Sequence, residues 1–338
     1  MSAHAHSPLA VDRLADHRAV VRAIEPAIAV NLDLLVPVHK AWQPSDYLPD
    51  LERADWRESV ERFRQSAQVV SDELLIVLVG DMITEEALPS YSVSLNELVR
   101  DASGTDPAPW GRWLRGWSAE ENRHGDLLNA YLRLTGRVNM RAVEHTVHHL
   151  IANGFTPGTD ADPYGLLVYT SFQERATRIS HGNVGRLAGQ QGDAHLARIC
   201  GMIASDESRH ETFYTRAMAE VLDRDPNGGI LAFRSMLRSQ ISMPGQRMDD
   251  GRDPDVFDHF ATVAQRTGVY TVRDYASIIE HLVAAWRIGE RSVTGAAARA
   301  QDAICRQAAR YERLADRLSA TLDRQPAVAF SWIHDRRV

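Results

Sequence analysis

Several features that would place a protein in a specialised class are scarce in this chain of 338 residues. It has two cysteines, Cys200 and Cys305, which are too few for a disulfide framework and form no CxxC pair, so a reducing compartment is favoured. Its longest strongly apolar run, 74–79, is far shorter than the ~20 residues that a membrane-spanning helix needs. The net charge of −7 lacks the basic footprint typical of nucleic-acid-binding proteins. We therefore expect a cytoplasmic protein with no membrane insertion and no nucleic-acid partner.

The residues that are present indicate a globular chain built from helices. Apolar residues make up 44% and charged residues 25%, which are ordinary fractions for a globular domain. Between Trp56 and Glu86 the apolar residues recur three and four positions apart, which predicts one long helix. No segment shows the sustained alternation of a strand, so an all-α fold is expected. Clusters of Gly or Pro with Asp, Asn or Ser predict loops at 100–109, 135–139, 154–163, 189–193, 223–229 and 244–254.

A short internal repeat carries the most specific chemical signal. The sequence AEENRHG at 119–125 reappears as SDESRHE at 205–211, so that Glu121-x-x-His124 is matched by Glu207-x-x-His210. On a helix, residues three apart share a face, where a carboxylate and an imidazole can bind one metal ion. A single copy would be expected by chance in a chain with 14 histidines, and would then be an exposed helix face. A second copy with the same flanking acid and Arg favours a metal site.

Ferritin-like bundles with two metal ions supply a stricter test, because each Glu-x-x-His helix has a neighbouring helix that contributes a further Glu. Upstream of the first copy an apolar helix ends in Glu85 and Glu86, and upstream of the second lies Glu174. Glu85 and Glu174 precede the repeated glutamates by 36 and 33 residues, which suits two helical hairpins of similar length. Helical periodicity does not choose between Glu85 and Glu86, and Pro89 predicts a kink beside them.

The predicted ligand set indicates which metals would bind. Four carboxylates and two imidazoles without a thiolate suit Fe or Mn better than structural Zn. Such a set balances the charge of two divalent ions and suits dioxygen chemistry. A metal-bound His usually donates its second N–H to an outer carboxylate. The acids that precede the repeated glutamates, Glu120 and Asp206, are therefore the predicted partners of the His in the opposite copy.

Other polar residues near these motifs have competing interpretations. Thr177 lies three residues after Glu174, where its hydroxyl would meet bound dioxygen or water, or else bond to a carbonyl of its own helix. His181, one turn further on, is expected to be a packed histidine and not a third imidazole ligand. The histidines at 145, 148 and 149 have no acids at matching spacing on both sides, so we expect them to be surface or structural residues.

Long motifs give the chain a resemblance to a known family. The motifs are GDMITEEALPSY (80–91), WSAEENRHGDLLNAYLRLTGRVNMR (117–141), YTSFQERATRISHGN (169–183), ASDESRHETFYT (204–215) and FSWIHDRR (330–337), with WQPSDYLPD (42–50) and DGRDPDVFDHFATVAQRTGVYT (250–271). They resemble the soluble acyl-acyl-carrier-protein desaturases, which include the stearoyl-carrier-protein delta-nine desaturases of plant plastids. The resemblance extends over nearly the whole chain after about residue 25.

The resemblance implies a full set of site residues. It selects Glu85 over Glu86 and implies two iron ions (Fe²⁺/Fe³⁺) per subunit. One iron would be bound by Glu85 and His124 and the other by Glu174 and His210, with Glu121 and Glu207 bridging the two. It also implies a role for the Thr177 hydroxyl beside the oxygen site. Electrons would reach the metals through Trp42, Asp206 and His124.

The resemblance also implies a fold, an activity and partners. The fold would be a ferritin-like di-iron four-helix bundle with additional helices, forming one domain over 1–338 with a variable N-terminal segment at 1–25. The activity would be an O₂- and ferredoxin-dependent desaturation that introduces a cis double bond into a saturated acyl chain carried on acyl carrier protein. Such proteins serve fatty acid biosynthesis as homodimers. The alternative from the residues alone is a ferritin-like iron oxidation or storage protein, although ferritins are about half this length.

Two departures from the plant proteins carry expectations of their own. The resemblance starts near the N-terminus without the transit peptide of the plant proteins, so we expect a bacterial cytoplasmic enzyme. Leu166 and Leu167 stand where the plant proteins have a Gly-Phe pair. If these side chains line the closed end of the acyl channel, the bulk at Leu166 would favour a shorter acyl chain or a shifted double bond.

An acidic carrier protein would require an Arg-rich docking site in spite of the net negative charge. The sequence offers two candidate groups of arginines, and exposed helix faces with ion pairs are the alternative for both. One group is Arg234 and Arg238, and the other is Arg299, Arg306, Arg310, Arg313 and Arg317.

Overall fold

The structure is a computed structural model that describes residues 8–322 and 325–338. It is helical almost throughout, and within these ranges two short strands, Ala329–Phe330 (β1) and Arg336–Arg337 (β2), pair antiparallel. The helices are Pro8–Ala23 (α1), Glu25–Asn31 (α2), Trp56–Ala67 (α3), Asp72–Glu85 (α4), Leu88–Val99 (α5), Pro109–Thr135 (α6), Met140–Asn153 (α7), Pro163–Gln191 (α8), Ala194–Arg224 (α9), Pro226–Ser239 (α10), Val256–Thr267 (α11), Val272–Ala285 (α12), Gly295–Cys305 (α13) and Gln307–Leu322 (α14).

Four of these helices, α4, α6, α8 and α9, contact one another and form the central bundle. α4 is buried on every side along 74–80, which explains why its sequence is a continuous apolar run and not an amphipathic stripe. α8 and α9 form the closest pair, an antiparallel hairpin joined at Gly192 (φ +101°) and capped by the Asp193 carboxylate, which accepts from Leu196 N–H. The prediction of an all-α, ferritin-like bundle with additional helices is confirmed.

The prediction of one helix from Trp56 to Glu86 is wrong. The chain leaves α3 after Ala67 and starts α4 at Asp72. Ser71 caps the new helix, since its hydroxyl accepts a hydrogen bond from Leu74 N–H at 3.2 Å. The sequence Ser-Asp-Glu at 71–73 carries this start signal, but the apolar periodicity continues across the break and conceals it.

The helix is interrupted before Pro89, where the sequence predicted only a kink. α4 ends at Glu85, and α5 begins at Leu88 with Pro89 in its first turn, where a missing N–H costs no hydrogen bond. The segment between Glu85 and α6 therefore contains a separate helix, α5. Of the two predicted hairpins, only α8–α9 is a simple one.

The later helices and the C-terminal segment pack around the bundle. α10 and α12 contact α8, α11 contacts α4, and α14 contacts α12. The C-terminal segment crosses the bundle surface, where Trp332 Nε1 donates to Thr146 Oγ1 at 3.0 Å and Arg336 contacts Asp72 at 2.7 Å. The assignment of 1–338 to one domain stays a prediction, and positions 1–7 of the predicted variable segment 1–25 lie outside the described residues. Within the described ranges, no helix combines the length and apolarity needed to cross a bilayer.

Candidate metal centre

The central bundle brings six predicted ligands together. α4 supplies Glu85, α8 supplies Glu174, and α6 and α9 supply the two Glu-x-x-His pairs. All six side chains are buried, and Glu174, His124 and His210 are fully enclosed. The ligand atoms form two overlapping groups in which all lie within 4.8 Å of one another: Glu85, Glu121, His124 and Glu207, and Glu121, Glu174, Glu207 and His210.

The first group surrounds the Nδ1 atom of His124. This nitrogen lies 3.3 Å from Glu121 Oε2 and 3.3 Å from Glu207 Oε1. Glu85 Oε2 completes the group at 3.7 Å from the same nitrogen.

The second group surrounds the Nδ1 atom of His210. Glu121 Oε1 lies 2.7 Å from this nitrogen, Glu174 Oε2 at 3.7 Å and Glu207 Oε2 at 3.9 Å. Glu121 and Glu207 therefore present one oxygen to each histidine, whereas Glu85 and Glu174 each face one histidine. This geometry can hold two cations that share the two central carboxylates.

The hydrogen bonding of the cluster fits a bound cation. Buried polar groups normally have partners, and each exception requires an explanation. Here six enclosed ligand atoms have polar neighbours only within the cluster and make no hydrogen bond to a group outside it: Glu121 Oε1, His124 Nδ1, Glu174 Oε2, Glu207 Oε1, Glu207 Oε2 and His210 Nδ1. All belong to the two groups and converge, and an oxygen-rich set with two imidazoles is a donor set that iron accepts.

The opposite nitrogen of each histidine contacts an outer carboxylate, as the sequence predicts. His124 Nε2 lies 3.4 Å from Asp206 Oδ2, and His210 Nε2 lies 3.0 Å from Glu120 Oε2. Arg209 joins the two outer acids, at 2.6 Å from Asp206 and 2.9 Å from Glu120. These contacts fix each ring so that Nδ1 points into the cluster.

The two glutamates outside the repeat are also held by ring N–H groups. Trp117 Nε1 donates to Glu174 Oε1 at 3.1 Å, and His181 Nε2 lies 2.8 Å from Glu85 Oε1. The interpretation of His181 as a packed histidine missed this contact. The available signal was its position seven residues after Glu174, which puts both side chains on one face of α8.

Burial and neighbouring charges shift the pKa values of the clustered glutamates in opposite directions. Burial raises the pKa of Glu174 well above its usual value, and the charge of Glu121 raises it further. Burial acts in the same direction on Glu207, but the adjacent His124 and His210 outweigh it and hold the pKa well below the usual range. Burial lowers the pKa of each histidine, while the surrounding carboxylates outweigh it and raise the pKa well above its usual value. The acids thus need positive charge to ionise together, as a metal pair would provide.

A polar path leads from the cluster to the half-buried Trp42. The indole Nε1 of Trp42 donates to Asp206 Oδ2 at 2.9 Å, and the same carboxylate contacts His124. The Arg123 guanidinium lies over the indole, 4.5 Å from the ring centroid, and also contacts Asp206 at 3.2 Å. Burial raises the pKa of Asp206, but His124 and Arg209 outweigh it and bring the pKa to about 2.

Thr177 lies on the wall of an adjoining cavity. Its hydroxyl donates within its own helix, to the carbonyls of Gln173 at 3.2 Å and Glu174 at 3.1 Å. This bonding is the alternative that the sequence left open for Thr177. Because the residue also lines the cavity next to Glu85, both interpretations of its position stay compatible with the structure.

The adjoining cavity is mostly apolar and has a volume of about 440 Å³. Its wall includes Glu85, Thr84 and Thr177 as well as the aromatic residues Phe172, Phe260 and Tyr275. Leu166 and Leu167 are buried in α8 but do not line this cavity. The condition behind the expected preference for shorter acyl chains is therefore not met here, and that preference stays a prediction.

A second cavity, of about 380 Å³, brings the two candidate arginine groups together. Arg234 and Arg238 of α10 face Arg310 and Arg317 of α14 across it. Gln240 and Tyr311 line both cavities, so the two adjoin. Arg299, Arg306 and Arg313 do not line it. The histidines at 145, 148 and 149 lie on α7 at exposed or half-buried positions, as expected.

Comparisons with known proteins agree with this site. The family model described as fatty acid desaturase matches residues 16–334. The chain is 49% identical over 325 residues to stearoyl-[acyl-carrier-protein] 9-desaturase 5, chloroplastic, of Oryza sativa subsp. japonica, covering 95% of this chain and 83% of the relative. It is 52% identical over 309 residues to stearoyl-[acyl-carrier-protein] 9-desaturase, chloroplastic, of Ricinus communis, covering 90% and 78%.

A solved structure shares the fold. The DesA2 protein from Mycobacterium tuberculosis H37Rv superposes with a TM-score of 0.52 at 20% identity, covering 81% of this chain and 96% of that chain. At 20% identity, this similarity supports only a shared arrangement of helices. The extent of the family match and the identity to the plant relatives favour a desaturase over an iron-storage protein. This chain belongs to the fatty acid desaturase family.

Proposed function

We propose that this chain is an acyl-[acyl-carrier-protein] desaturase, an oxidoreductase that introduces a cis double bond into a saturated fatty acyl chain for fatty acid biosynthesis. The observation that carries the proposal is that Glu85 belongs both to the buried Glu/His cluster and to the wall of a mostly apolar cavity. A saturated chain has no acidic hydrogen and no nucleophilic group, so acid–base chemistry alone does not act on it. An oxidising metal centre beside an apolar cavity is what this reaction requires.

The proposed ligands of two iron ions are the six clustered residues. Glu85 and His124 would hold one ion, Glu174 and His210 the other, and Glu121 and Glu207 would lie between them; the two groups of ligand atoms support this division. When bound and reduced, the irons would supply the oxidation by dioxygen that removes two hydrogen atoms from adjacent carbons and yields water.

The residues of the chain itself would bind and orient the substrate. The aromatic and aliphatic wall of the cavity excludes water from an alkyl chain and limits its conformations, so that particular carbons lie beside the cluster. The Thr177 hydroxyl lies on this wall, three residues after the proposed ligand Glu174. We assign it a role in holding oxygen or water next to the reacting carbons.

Electrons would enter on the Trp42 side of the bundle. The hydrogen bond from Trp42 to Asp206 and the contact from Asp206 to His124 support a path from the surface to the cluster. The donor would be ferredoxin, a one-electron carrier, because reduction of dioxygen to water needs more electrons than the substrate gives up. We further propose a cytoplasmic homodimer, with acyl-acyl-carrier protein as the substrate.

The direct test combines turnover with metal analysis. Iron-loaded protein is incubated with a reductase, ferredoxin and palmitoyl- or stearoyl-carrier protein, and the products are identified by mass spectrometry. We expect two irons per chain and a monounsaturated product. Glu85→Gln should lower both, because it removes a charged ligand from one group, whereas Glu86→Gln removes an equal charge one residue away and should retain both.

Two outcomes would contradict the proposal. Mineral loading far beyond two irons per chain, without a lipid product, would favour the iron-storage alternative. Equal metal content in the Glu85→Gln and Glu86→Gln variants would remove Glu85 from the ligand set.

A further inference from the structure

Aromatic side chains surround the metal cluster on the side where Glu174 and His210 lie. The Trp117 indole Nε1 donates to Glu174 Oε1 at 3.1 Å, and the Trp117 ring centroid lies 6.4 Å from that of His210. The Tyr91 ring also meets the indole, at right angles and with 6.4 Å between the two centroids. Both aromatic side chains are buried. A tryptophan and a tyrosine thus lie in series behind one proposed metal ligand.

These two side chains are of the kinds that give up an electron readily. Indole and phenol rings are oxidised by one electron at lower potentials than phenylalanine or aliphatic side chains. Aromatic rings pack together in any protein core, so their packing alone indicates no redox role. The hydrogen bond from Trp117 to Glu174 distinguishes this pair, because it connects the indole directly to a proposed ligand of the oxidising centre.

A third cavity brings Trp117 close to solvent. This α5–α6 cavity has a volume of about 520 Å³, and its wall includes Leu95, Leu114 and Trp117. Val93 also belongs to the wall and is 77% exposed, so the cavity opens to the surface. A small solute that enters the cavity would therefore lie against the indole. In this way Trp117 connects the solvent side of α6 with the metal cluster.

The electron balance of the proposed reaction shows what such a connection could supply. Reduction of one dioxygen molecule to two water molecules consumes four electrons and four protons. During desaturation, ferredoxin supplies two electrons, and the acyl chain supplies the other two together with two protons. When no acyl chain is bound, the second pair of electrons is missing, and the oxidised centre would attack the side chains that surround it.

We propose, on the basis of the function proposed above, that Trp117 and Tyr91 supply this second pair, one electron each, when the irons react with dioxygen and no acyl chain is bound. Each ring also gives up its N–H or O–H proton, and these two protons, with two from solvent, complete the two water molecules. A small thiol in the α5–α6 cavity then restores the rings. Two thiols give up one hydrogen atom each and form one disulfide, and Tyr91 is reduced by way of Trp117.

Rapid freeze-quench spectroscopy tests the electron supply without measuring turnover. Protein with two reduced irons per chain is mixed with dioxygen in the absence of acyl carrier and thiol, and electron paramagnetic resonance detects organic radicals. Two radicals whose rings are 6.4 Å apart broaden each other's signals, so we expect a broadened signal from the unaltered protein. Tyr91→Phe should give the narrow signal of a single tryptophan radical, and Trp117→Phe should give no radical.

Trp113→Phe is the matched control. The Trp113 ring lies 6.2 Å from the His210 ring and is fully buried, so it is as near the cluster as Trp117 is. Trp113 is not part of the wall of the α5–α6 cavity, and its indole N–H has no hydrogen-bond partner among the described residues. This variant should keep the broadened signal. Iron is measured in every variant, and Tyr91→Phe decides the test if Trp117→Phe binds less iron, because it leaves the bond to Glu174 in place.

Mass spectrometry of the digested protein gives a second readout. After repeated reduction and exposure to dioxygen without acyl carrier, oxidation products should accumulate at Trp117. Added thiol should prevent them and be consumed at two molecules for each dioxygen. The absence of an organic radical, an unchanged signal in Tyr91→Phe, or equal oxidation of Trp113 and Trp117 would overturn the proposal.

These outcomes are distinct from those that test the function on which the proposal rests. Desaturation of stearoyl-carrier protein by a protein that forms no radical without substrate would refute the electron supply alone. Radicals at Trp117 and Tyr91 in a protein that yields no unsaturated product would support the electron supply and refute the activity.

Discussion

Asp81 is a carboxylate on the wall of the otherwise mostly apolar cavity, with 11% of its side-chain surface exposed. The Ser180 hydroxyl donates to it at 2.9 Å, and His181 Nδ1 lies 4.0 Å away. Burial outweighs these partners and raises the pKa of Asp81 to about 6. At neutral pH the group is therefore ionised in the folded protein at a cost in free energy of folding.

This pKa gives a pH dependence with a defined sign. The folded state keeps the Asp81 proton up to pH about 6, whereas the unfolded chain loses it near pH 3.8. Stability that is present below pH 3.8 is thus lost as the pH rises to about 6, by at most about 3 kcal/mol for a pKa shift of this size. We expect Asp81→Asn to be more stable than the unaltered protein at pH 7, and to lose that advantage at pH 4.

Denaturant unfolding of the metal-free protein between pH 4 and pH 7 measures this difference. Asp126→Asn, at an exposed position of α6, is the matched control and should change the free energy of unfolding by less than about 0.5 kcal/mol. A pH-independent difference between Asp81→Asn and the unaltered protein would contradict the assignment.

The sequence predicted the residues of the Glu/His cluster only in part. The repeat identified Glu121, His124, Glu207 and His210 because two ligands three residues apart are a local pattern. Helical periodicity did not choose between Glu85 and Glu86 as the ligand, and only the resemblance to the family selected Glu85. In the structure Glu85 is buried in the cluster, because α4 ends at this residue with its side chain toward α6.

At the scale of elements, the contact between α4 and α11 depends on the absence of a side chain at Gly80. An added Cβ there would lie 2.0 Å from Phe260 Cε2, and Phe260 is a wall residue of the apolar cavity. We expect Gly80→Ala to push the ring aside and to lower the free energy of unfolding by about 1–3 kcal/mol. Acyl-chain binding should weaken with it.

A second glycine provides the control for this substitution. Gly182 lies at an exposed position of α8, and an added Cβ would have no heavy atom within 4 Å. Gly182→Ala should therefore stabilise the protein by about 0.4–1 kcal/mol. Thermal unfolding and calorimetric binding of a stearoyl ligand compare the two variants. Unchanged stability and binding in Gly80→Ala would show that Phe260 moves freely.

The sequence predicted helix boundaries correctly where the local signal for a loop was strong. The loops after α5, α6 and α7 were predicted, because Gly, Pro and Asp cluster there. The break between α3 and α4 was missed, since one Ser cap interrupts a continuous apolar pattern. The turn between α9 and α10 is the single residue Asp225, shorter than the loop predicted at 223–229.

At the scale of the whole molecule, the C-terminal segment joins parts of the chain that are distant in sequence. The Ser331 hydroxyl bonds to Asp250 at 2.6 Å, Trp332 to Thr146, and Arg336 to Asp72, which also binds Arg137 at 2.7 Å. Trp332 is fully buried. We expect Trp332→Ala to cost about 3–5 kcal/mol of the free energy of unfolding, measured by chemical denaturation.

The neighbouring Arg337 is the control for this prediction. It is exposed, and Arg337→Ala should change the free energy of unfolding by at most about 0.5 kcal/mol. Similar losses in both variants would mean that the segment contributes through its backbone and not through the buried indole.

The sequence by itself determined the helical class, most helix ends and the two Glu-x-x-His pairs, because periodicity, caps and i,i+3 spacing are local properties of a chain. Tertiary structure alone decided that His181 and Trp117 hold Glu85 and Glu174, that Glu85 also lines an apolar cavity, and that arginines of α10 and α14 share one cavity. Each of these depends on how segments far apart in sequence pack, since a contact between two helices follows from the orientation of both.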